Sequence, residues 1–454
     1  MVHPPQRGWT PHGCDERNFV IPPNPLEQHI KQSKSIDSTV PSDHKSPHRP
    51  KAESVNFLTT PKEATLIDRL IDPGRLPSVE QALMLRAALL PGDAGKEAAS
   101  DWLASADFER LGKASRRILP MLYERLRQDG FSSPLMPVLK GVKRHTWYNN
   151  RRLFHYGGEA VHLLKQAGID VMVIKGAAMV IDYYYDESMR PMEDLDILVR
   201  YSNKSSALRL LLEQGWVMKD KHLTDQFLEE GLFEIGKATG LVHPTGIHLD
   251  LHWNLTPYCL GDVTDNDFWS GAGECKFEGQ LVKVLNPADQ LLHILVHGAS
   301  WSTISPIRWI PDAVTVLNRH SEFNWERLIE QAQQRSLTLI VGNALRNMDG
   351  YSQAIVPPSV LSALDRIAPR IFEHIENLHL KHPGHKGFFL SILTIVSDYL
   401  RYSRNLSLLD MALLMPRYLR IRFGAKGLSQ FTSLALAKIR RHLSRKKQAT
   451  KQTL

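Results

Sequence analysis

The chain has 454 residues, of which 43% are hydrophobic and 23% charged, and its formal net charge is +8. This composition is that of a soluble globular protein, and the length predicts two or three domains. Three widely spaced cysteines exclude a disulfide framework and a CxxC metal knuckle, and no apolar run reaches the ~18 residues that a membrane span needs.

The positive charge is concentrated at one end of the chain. Residues 401–454 contain 13 Lys or Arg and one acidic residue, so the remainder is acidic. We expect residues 425–454 to form a basic amphipathic tail that contacts nucleic acid or an anionic membrane weakly, the alternative being a solvated terminus. Because residues 1–30 lack the apolar core of a secretory signal, a cytoplasmic location is expected, peripheral to the membrane if the tail binds lipid.

Both flanks of the chain have simple patterns. Residues 1–58 hold nine of the 27 prolines among Ser and His, and predict a disordered tail. Residues 59–148 predict a helical domain, in which Ser78 and Gln81 form a capping box and Gly130 ends a helix. Residues 286–424 predict a second helical domain, since "NPADQLLHILVHGAS", "WIPDAVTVL", "WERLIEQAQQ" and "LSALDRIAPRIFEHI" share the helical period.

Between them, residues 149–285 alternate helices with strands. "RRLFHYGGEAVHLLKQAGI", "AAMVIDYYY" and "SNKSSALRLLLEQGW" predict helices, whereas "DVMVIKG", "MEDLDILVR" and "GIHLDLHWNL" predict strands. This alternation is typical of an α/β unit.

Two aspartates interrupt the second of these strands. Asp194 and Asp196 are two residues apart, so in a strand they project to the same face while Leu195 and Ile197 face a core. Two carboxylates this close repel each other unless a cation or a shared proton lies between them, and a divalent metal satisfies this requirement. If the strand of "HLDLHW" lies alongside, Asp250 joins the pair, and three carboxylates would hold two metal ions.

A phosphate-binding turn precedes the aspartates. In "VIKGAAM", a strand ends at Gly176 and runs directly into a helix, which presents backbone N–H groups and the positive helix end to an anion. Lys175 and Arg190 add positive charge nearby. The sequence thus places phosphate recognition and metal recognition close together.

These motifs resemble a known family. "IKGAAM", "YYYDESMRPMEDLDILV" and "HLDLHWNL", within residues 150–320, resemble the bacterial uncharacterised nucleotidyltransferase family of the polymerase-β-like superfamily. The resemblance implies an α+β or α/β fold with a small mixed sheet, flanked by the two helical domains. It also implies transfer of an NMP from an NTP such as ATP to an unidentified acceptor hydroxyl, on a small molecule, sugar, peptide or protein, with Mg²⁺ or Mn²⁺.

The resemblance also implies roles for individual residues. Asp194, Asp196 and Asp250 would be the metal-binding catalytic residues. Gly176 would approach the β,γ-phosphates, with Lys175 or Arg190 as electrostatic support. Ala177 follows Gly176 where the superfamily usually has Gly or Ser, so a hydroxyl contact is missing. Independently of the resemblance, His248 and His252 share a strand face with Asp250, and we expect them to flank it in the substrate site.

The sequence leaves alternatives open. One is a non-catalytic domain of the same fold that binds a nucleotide or a partner; another is a His/Asp metal enzyme using His248, Asp250 and His252. The two aspartates could also be structural, with one capping a turn and the other pairing with Arg190. His293 and His297 could be a pair of metal ligands, and Trp253, Trp301 and Trp309 could stack on a base. For all five residues a structural role is the favoured interpretation.

Overall fold

The structure is a computed structural model that describes residues 77–184, 186–219, 233, 236–260, 265–299, 307–348, 350–351, 356–381, 388–404 and 406–422. All of them belong to one compact unit, residues 64–454. The predicted tails at 1–58 and 425–454, and Trp301, lie outside the described residues. No helix in the described part of the chain is both long and apolar enough to cross a membrane.

The chain enters this unit through a series of helices. These are α1 (Val79–Leu89), α2 (Gly92–Ser105), α3 (Lys113–Arg116), α4 (Leu119–Gln128) and the 31-residue α5 (Met136–Gln166). The capping box is confirmed, since the Ser78 hydroxyl accepts from the Gln81 N–H at 3.2 Å and the Gln81 side chain accepts from the Ser78 N–H at 3.0 Å. These bonds satisfy two N–H groups that the first helical turn leaves without partners.

One mixed sheet of seven strands lies at the centre of the described residues. The strands are β1 (Val171–Ile174), β2 (Leu195–Val199), β3 (Val217–Met218), β4 (Ala238–Val242), β5 (His248–His252), β6 (Gly273–Phe277) and β7 (Gln280–Val284). Their order is β3-β4-β5-β2-β1-β7-β6, with β2 parallel to β5, β1 parallel to β7 and the other pairs antiparallel. Three further helices lie within this region, α6 (Lys175–Asp182), α7 (Lys204–Glu213) and α8 (Asn266–Ser270).

The two faces of the sheet pack against different helices. Leu195, Ile197 and Val199 of β2 belong to a hydrophobic cluster that contains the buried residues of α5 and α7. Leu198, on the opposite face, belongs to a second cluster with the N-terminal helices and the C-terminal helices. Since side chains alternate along a strand, Asp196 lies on the same face as Leu198.

The C-terminal helices cover that second face. They are α9 (Pro287–Ala299), α10 (Trp309–Arg319), α11 (Trp325–Gln334), α12 (Thr338–Met348), α13 (Pro358–Arg366), α14 (Ile371–Lys381), α15 (Phe388–Tyr402) and α16 (Leu408–Arg422). Leu291, Leu292 and Leu295 of α9 are buried in the same cluster as Leu198. The division into domains at 59–148, 149–285 and 286–424 stays a prediction.

The mixed α/β fold predicted from the sequence is confirmed, although some elements differ. "LSALDRIAPRIFEHI", predicted to be helical, forms parts of two helices, α13 and α14. The sequence analysis missed β3, β4, β6 and β7. Glu278 and Gly279 form the two-residue turn of the β6–β7 hairpin, with φ of 44° and 77°. Glycine favours this positive φ, so Gly279 was the signal for the turn in the sequence.

Two adjacent glycines allow α5 to lie close to the sheet. A Cβ on Gly157 would lie 2.3 Å from Leu195 Cδ2, and a Cβ on Gly158 would lie 2.7 Å from Glu278 Cβ. The Gly-Gly pair is therefore where the helix contacts the sheet and its β6–β7 turn. Leu195, which Gly157 touches, directly precedes Asp196.

Gly158→Ala should destabilise the protein by about 1–2 kcal/mol. The added methyl group would clash with Glu278 Cβ, whose position the backbone fixes, and the cost of this clash exceeds the gain from the higher helix propensity of alanine. Gly141→Ala in the same helix is the matched control: nothing lies within 4 Å of its added Cβ, so it should gain about 0.5–1 kcal/mol. Urea denaturation of both variants measures the difference. Equal gains in the two variants would mean that α5 has room for a side chain against the β6–β7 turn.

Candidate active site

Asp196 and Asp250 face each other across two parallel strands. The register of β2 and β5 pairs Asp196 directly with Asp250, and Leu198 with His252. A ligand atom from each of Asp196, Asp250 and His252 lies within 4.8 Å of the other two. The strand adjacency on which the predicted convergence of Asp196 and Asp250 depends is therefore present.

Asp196 is the buried centre of this cluster, with 3% of its surface exposed. Lys175 Nζ donates to its Oδ1, and His252 Nε2 lies 3.1 Å from the same oxygen. Burial alone would raise the pKa of this carboxyl, but Lys175 and His252 hold it far below its ordinary value. Asp196 is therefore a permanent carboxylate, and Lys175 is the cation that stabilises it.

Asp250 has the opposite electrostatic character. Burial, followed by repulsion from Asp196 and Asp194, raises its pKa to about 6. Its Oδ1 also faces Gly240 on β4, where an added Cβ would lie 3.3 Å from it. Asp250 is thus the group in the cluster that can exchange a proton near neutral pH.

Asp194 and His248 are less closely associated with the cluster. Asp194 precedes β2, which begins at Leu195, and it is not a member of the group of three. It is nevertheless close enough for burial and Asp196 to raise its pKa. His248 is on the same face of β5 but is also outside the group, so the all-β5 set of His248, Asp250 and His252 does not form. The cluster instead takes one residue from β2 and two from β5.

The predicted phosphate turn lies at the start of α6. The positive φ is at Lys175, with a value of 50°, and not at Gly176. Glycine is needed at 176 for another reason: a Cβ there would lie 2.5 Å from Arg190 Nη1 and 3.1 Å from Met192 Sδ. Ala177 is buried in the same helix and offers no hydroxyl. The guanidinium of Arg190 therefore packs directly on the turn.

Arg190 is held there by a residue from a C-terminal helix. Its Nε and Nη2 donate to the Asp312 carboxylate at 2.9 and 2.8 Å, and both residues are buried. The Tyr184 hydroxyl also donates to Asp312, at 2.8 Å. Among the described residues Nη1 has no hydrogen-bond partner, so the free edge of the guanidinium is presented at Gly176. Arg190 pairs with Asp312 and not with Asp194 or Asp196. The alternative in which one of these two aspartates has a structural role as the partner of Arg190 is therefore excluded.

The sequence analysis missed Lys237, Arg308 and Asp312. Burial and nearby Lys175 lower the pKa of Lys237 to about 8. Arg308 Nη1 donates to the Pro191 carbonyl at 2.8 Å. A sequence signal existed for Arg308 and Asp312, whose four-residue spacing across the start of α10 is that of one helical face. Their partner residues are more than 100 positions away in the chain, so no local pattern identifies them.

The remaining candidates are structural or peripheral. Trp253 and Trp309 are buried in the two hydrophobic clusters, and the Trp253 indole donates to the Gly236 carbonyl at 2.7 Å. His293 is buried on α9, and its ring centroid is 6.1 Å from that of His297. Neither histidine belongs to the group of three.

The group of three has the donor chemistry of a divalent-cation site. It combines two carboxylates with one imidazole, and burial together with Lys175 lowers the pKa of His252 to about 4, so the ring is neutral at physiological pH. Among the residues that the structure describes, buried His252 Nδ1 has no hydrogen-bond partner, so no bond to them fixes the ring orientation on that side. Carboxylate oxygens suit Mg²⁺ or Mn²⁺, and the imidazole nitrogen favours the softer of the two, Mn²⁺.

A family-wide sequence profile matches residues 105–351, more than half of the chain, and its description is "uncharacterised nucleotidyltransferase". The chain belongs to the uncharacterised nucleotidyltransferase family. The match extends on both sides of the 150–320 segment in which the sequence resemblance was recognised. It includes Asp312, the C-terminal residue that holds Arg190.

One similar solved structure is an antigenic nucleotidyltransferase-like protein from Paracoccidioides brasiliensis, with 16% identity over 50% of this chain and 94% of that chain, and a TM-score of 0.28. A TM-score this low provides no residue-level correspondence. No curated protein matches the chain.

The raised pKa of Asp250 predicts a stability change with pH in the metal-free protein. An aspartate titrates near 3.8 when unfolded and at about 6 here, so stability is lost as the pH rises from about 4 to 6. Asp250→Asn should therefore be more stable than the wild type at pH 7.5, by about 2–3 kcal/mol, and the gain should shrink towards pH 4.5. Urea unfolding in EDTA at both pH values measures it.

Glu97→Gln, at an exposed position on α2, is the matched control and should change stability little at either pH. A loss of stability in Asp250→Asn at pH 7.5 would contradict the electrostatic description of the cluster.

Proposed function

We propose that this nucleotidyltransferase family member transfers an NMP from an NTP to an acceptor hydroxyl, with a divalent metal held by Asp196, Asp250 and His252. One observation carries the proposal: the three ligand atoms converge within 4.8 Å, and β2, which carries Asp196, pairs with β1, the strand that leads into α6 at Lys175. A metal site beside an anion-binding turn is what a metal-bound triphosphate requires.

The bound cation would supply charge neutralisation for the triphosphate and the leaving pyrophosphate. Asp196 is suited to hold it because this carboxyl stays ionised at any working pH. Lys175 donates to Asp196 in the metal-free protein. Were a cation held by Asp196, the Lys175 ammonium would be available to donate to a phosphate oxygen instead.

Arg190 is suited to bind the terminal phosphates. Asp312 fixes two of its nitrogens, and the third faces the turn at Gly176. Because the guanidinium is already oriented and desolvated, it loses little conformational entropy when a phosphate arrives. Backbone N–H groups at the start of α6 add to the same site.

Asp250 is suited to take the acceptor proton. In the metal-free protein its pKa is about 6, so the carboxylate is ionised at neutral pH and would accept the proton of an acceptor hydroxyl, while a bound cation would lower this pKa. Asp194, just outside the cluster, adds negative charge that sustains this basicity. We infer that Asp194 assists the site, and that the other two acids contact the cation.

Asp196→Asn should abolish metal-dependent nucleotide binding. In the wild type, Mn²⁺ with an NTP should raise the Tm more than either component alone. Asp196→Asn should lose this synergy and reduce acceptor-dependent pyrophosphate release by more than about 100-fold, since even the outer partners of metal ligands are worth about 10–100-fold. Differential scanning fluorimetry and a pyrophosphate assay report binding and turnover separately. Wild-type synergy in both Asp196→Asn and Asp250→Asn would rule out this metal site, and synergy without turnover would support a binding domain instead.

Arg190→Lys should weaken triphosphate affinity by about 10–100-fold, the value of one hydrogen bond to a charged group. It keeps the charge but loses the fork that reaches Asp312 and the turn together. Stabilisation by Mn²⁺ alone should not change. Arg346→Lys, at an exposed pair with Asp365, is the matched control and should bind nucleotide normally. An equal loss of Mn²⁺ and nucleotide binding in Arg190→Lys would point to misfolding, which circular dichroism of both variants would detect.

A further inference from the structure

A second site lies on the N-terminal helices, apart from the carboxylate cluster. A groove of about 790 Å³ is formed by α4, the first half of α5 and the segment before Arg190. It shares no lining residue with the cluster of Asp196, Asp250 and His252. Its walls carry four Lys or Arg side chains and two carboxylates, so it has an excess of positive charge.

The two carboxylates of the groove are already satisfied. Lys143 Nζ lies 2.6 Å from Glu124 Oε2 and 2.8 Å from Asp186 Oδ2, and Arg127 also donates to Glu124. Two cations remain. Lys140 and Arg144 are exposed and make no ion pair with any described residue. They lie one helical turn apart on α5, so their charges point to the same side of the groove.

Two large aromatic side chains lie next to these cations. Trp147 is 51% exposed and Tyr148 is 54% exposed, and both line the groove. Positions 140, 144, 147 and 148 lie on one side of the helix, because 3.6 residues complete each turn. An exposed π-face beside an unpaired cation is the arrangement that binds a nucleobase and its phosphate.

The segment from Asp186 to Arg190 connects the groove to the active site. Asp186 and Ser188 line the groove, and Arg190 follows them at the turn of Gly176. Asn150 Nδ2, on α5, donates to the carbonyls of Glu187 and Arg190 at 2.6 and 2.9 Å. The helix that carries the cations and aromatics therefore also fixes the loop that ends at the phosphate turn.

We propose that this groove binds single-stranded nucleic acid, with phosphates on Lys140 and Arg144 and bases stacked on Trp147 and Tyr148. A membrane surface is a poorer fit, because the site is concave and alternates charged with aromatic residues rather than presenting an apolar face. If the protein is the nucleotidyltransferase proposed above, the acceptor hydroxyl belongs to a nucleic acid.

Binding is measured by fluorescence anisotropy of labelled 12-nucleotide RNA and DNA strands of mixed sequence, using the full chain carrying Asp196→Asn so that no transfer occurs. Trp147→Ala with Tyr148→Ala should weaken binding at least tenfold, since each stacked base is worth about 1–3 kcal/mol. Lys140→Gln with Arg144→Gln should reduce the slope of log K against log salt by about 1.4, the value for two single-strand phosphates.

Lys96→Gln with Lys276→Gln, which removes two exposed cations elsewhere, is the matched control and should bind like the parent. Wild-type affinity in the aromatic variant would overturn the proposal, because binding would then come from the basic residues 423–454. Stronger retention on phosphatidylglycerol vesicles than on either strand, lost in the aromatic variant, would also overturn it in favour of a membrane. Strand binding with no metal-dependent nucleotide binding in the wild type would support the groove while removing the proposed transferase activity.

Discussion

The pairing of Asp196 with Asp250 across two parallel strands is the constraint on which the rest of the site depends. Two carboxylates in register inside a folded protein repel each other, and desolvation adds to the cost. Lys175 offsets the charge of Asp196 directly, which leaves Asp250 to adjust by holding a proton up to a pH of about 6. Two partly buried cations, Lys237 and Arg308, lie nearby, and desolvation lowers the pKa of each. The site is thus a negative pair surrounded by positive charge, and a cation with a triphosphate complements both parts.

The helices that flank the sheet are part of this site. Asp312, on α10, makes a buried two-pronged ion pair with Arg190, and removing one partner of such a pair commonly costs about 3–5 kcal/mol. Leu198, beside Asp196, packs in the same cluster as α9. On the other face, α5 touches Leu195 through Gly157. Strand β2 is therefore fixed from both sides, which gives Asp196 a single position relative to Asp250.

The alternation of "LDILV" and "HLDLH" was sufficient to predict two strands and the face on which their acids project, because side chains alternate along a strand regardless of context. The capping box at Ser78 was equally local. Sequence reasoning was less accurate where a residue's role depends on distant partners. Asp194 looks equivalent to Asp196 in the sequence, yet β2 begins at Leu195 and the group of three ligand-type side chains that lie together takes His252 as its third member. At the predicted phosphate turn, Gly176 provides space for Arg190, and the positive φ lies at Lys175.

The sequence by itself determined the strand–helix alternation, the acidic strands and the direct passage from a strand into a helix at Lys175 and Gly176, since each follows from a period or a local conformational preference. The tertiary structure alone decided that β2 and β5 are neighbours in the register that pairs Asp196 with Asp250. It also decided that Asp312 and Arg190 meet across 122 residues of chain. Strand adjacency and long-range ion pairs depend on how the two hydrophobic clusters pack together, and no local segment of the chain encodes that packing.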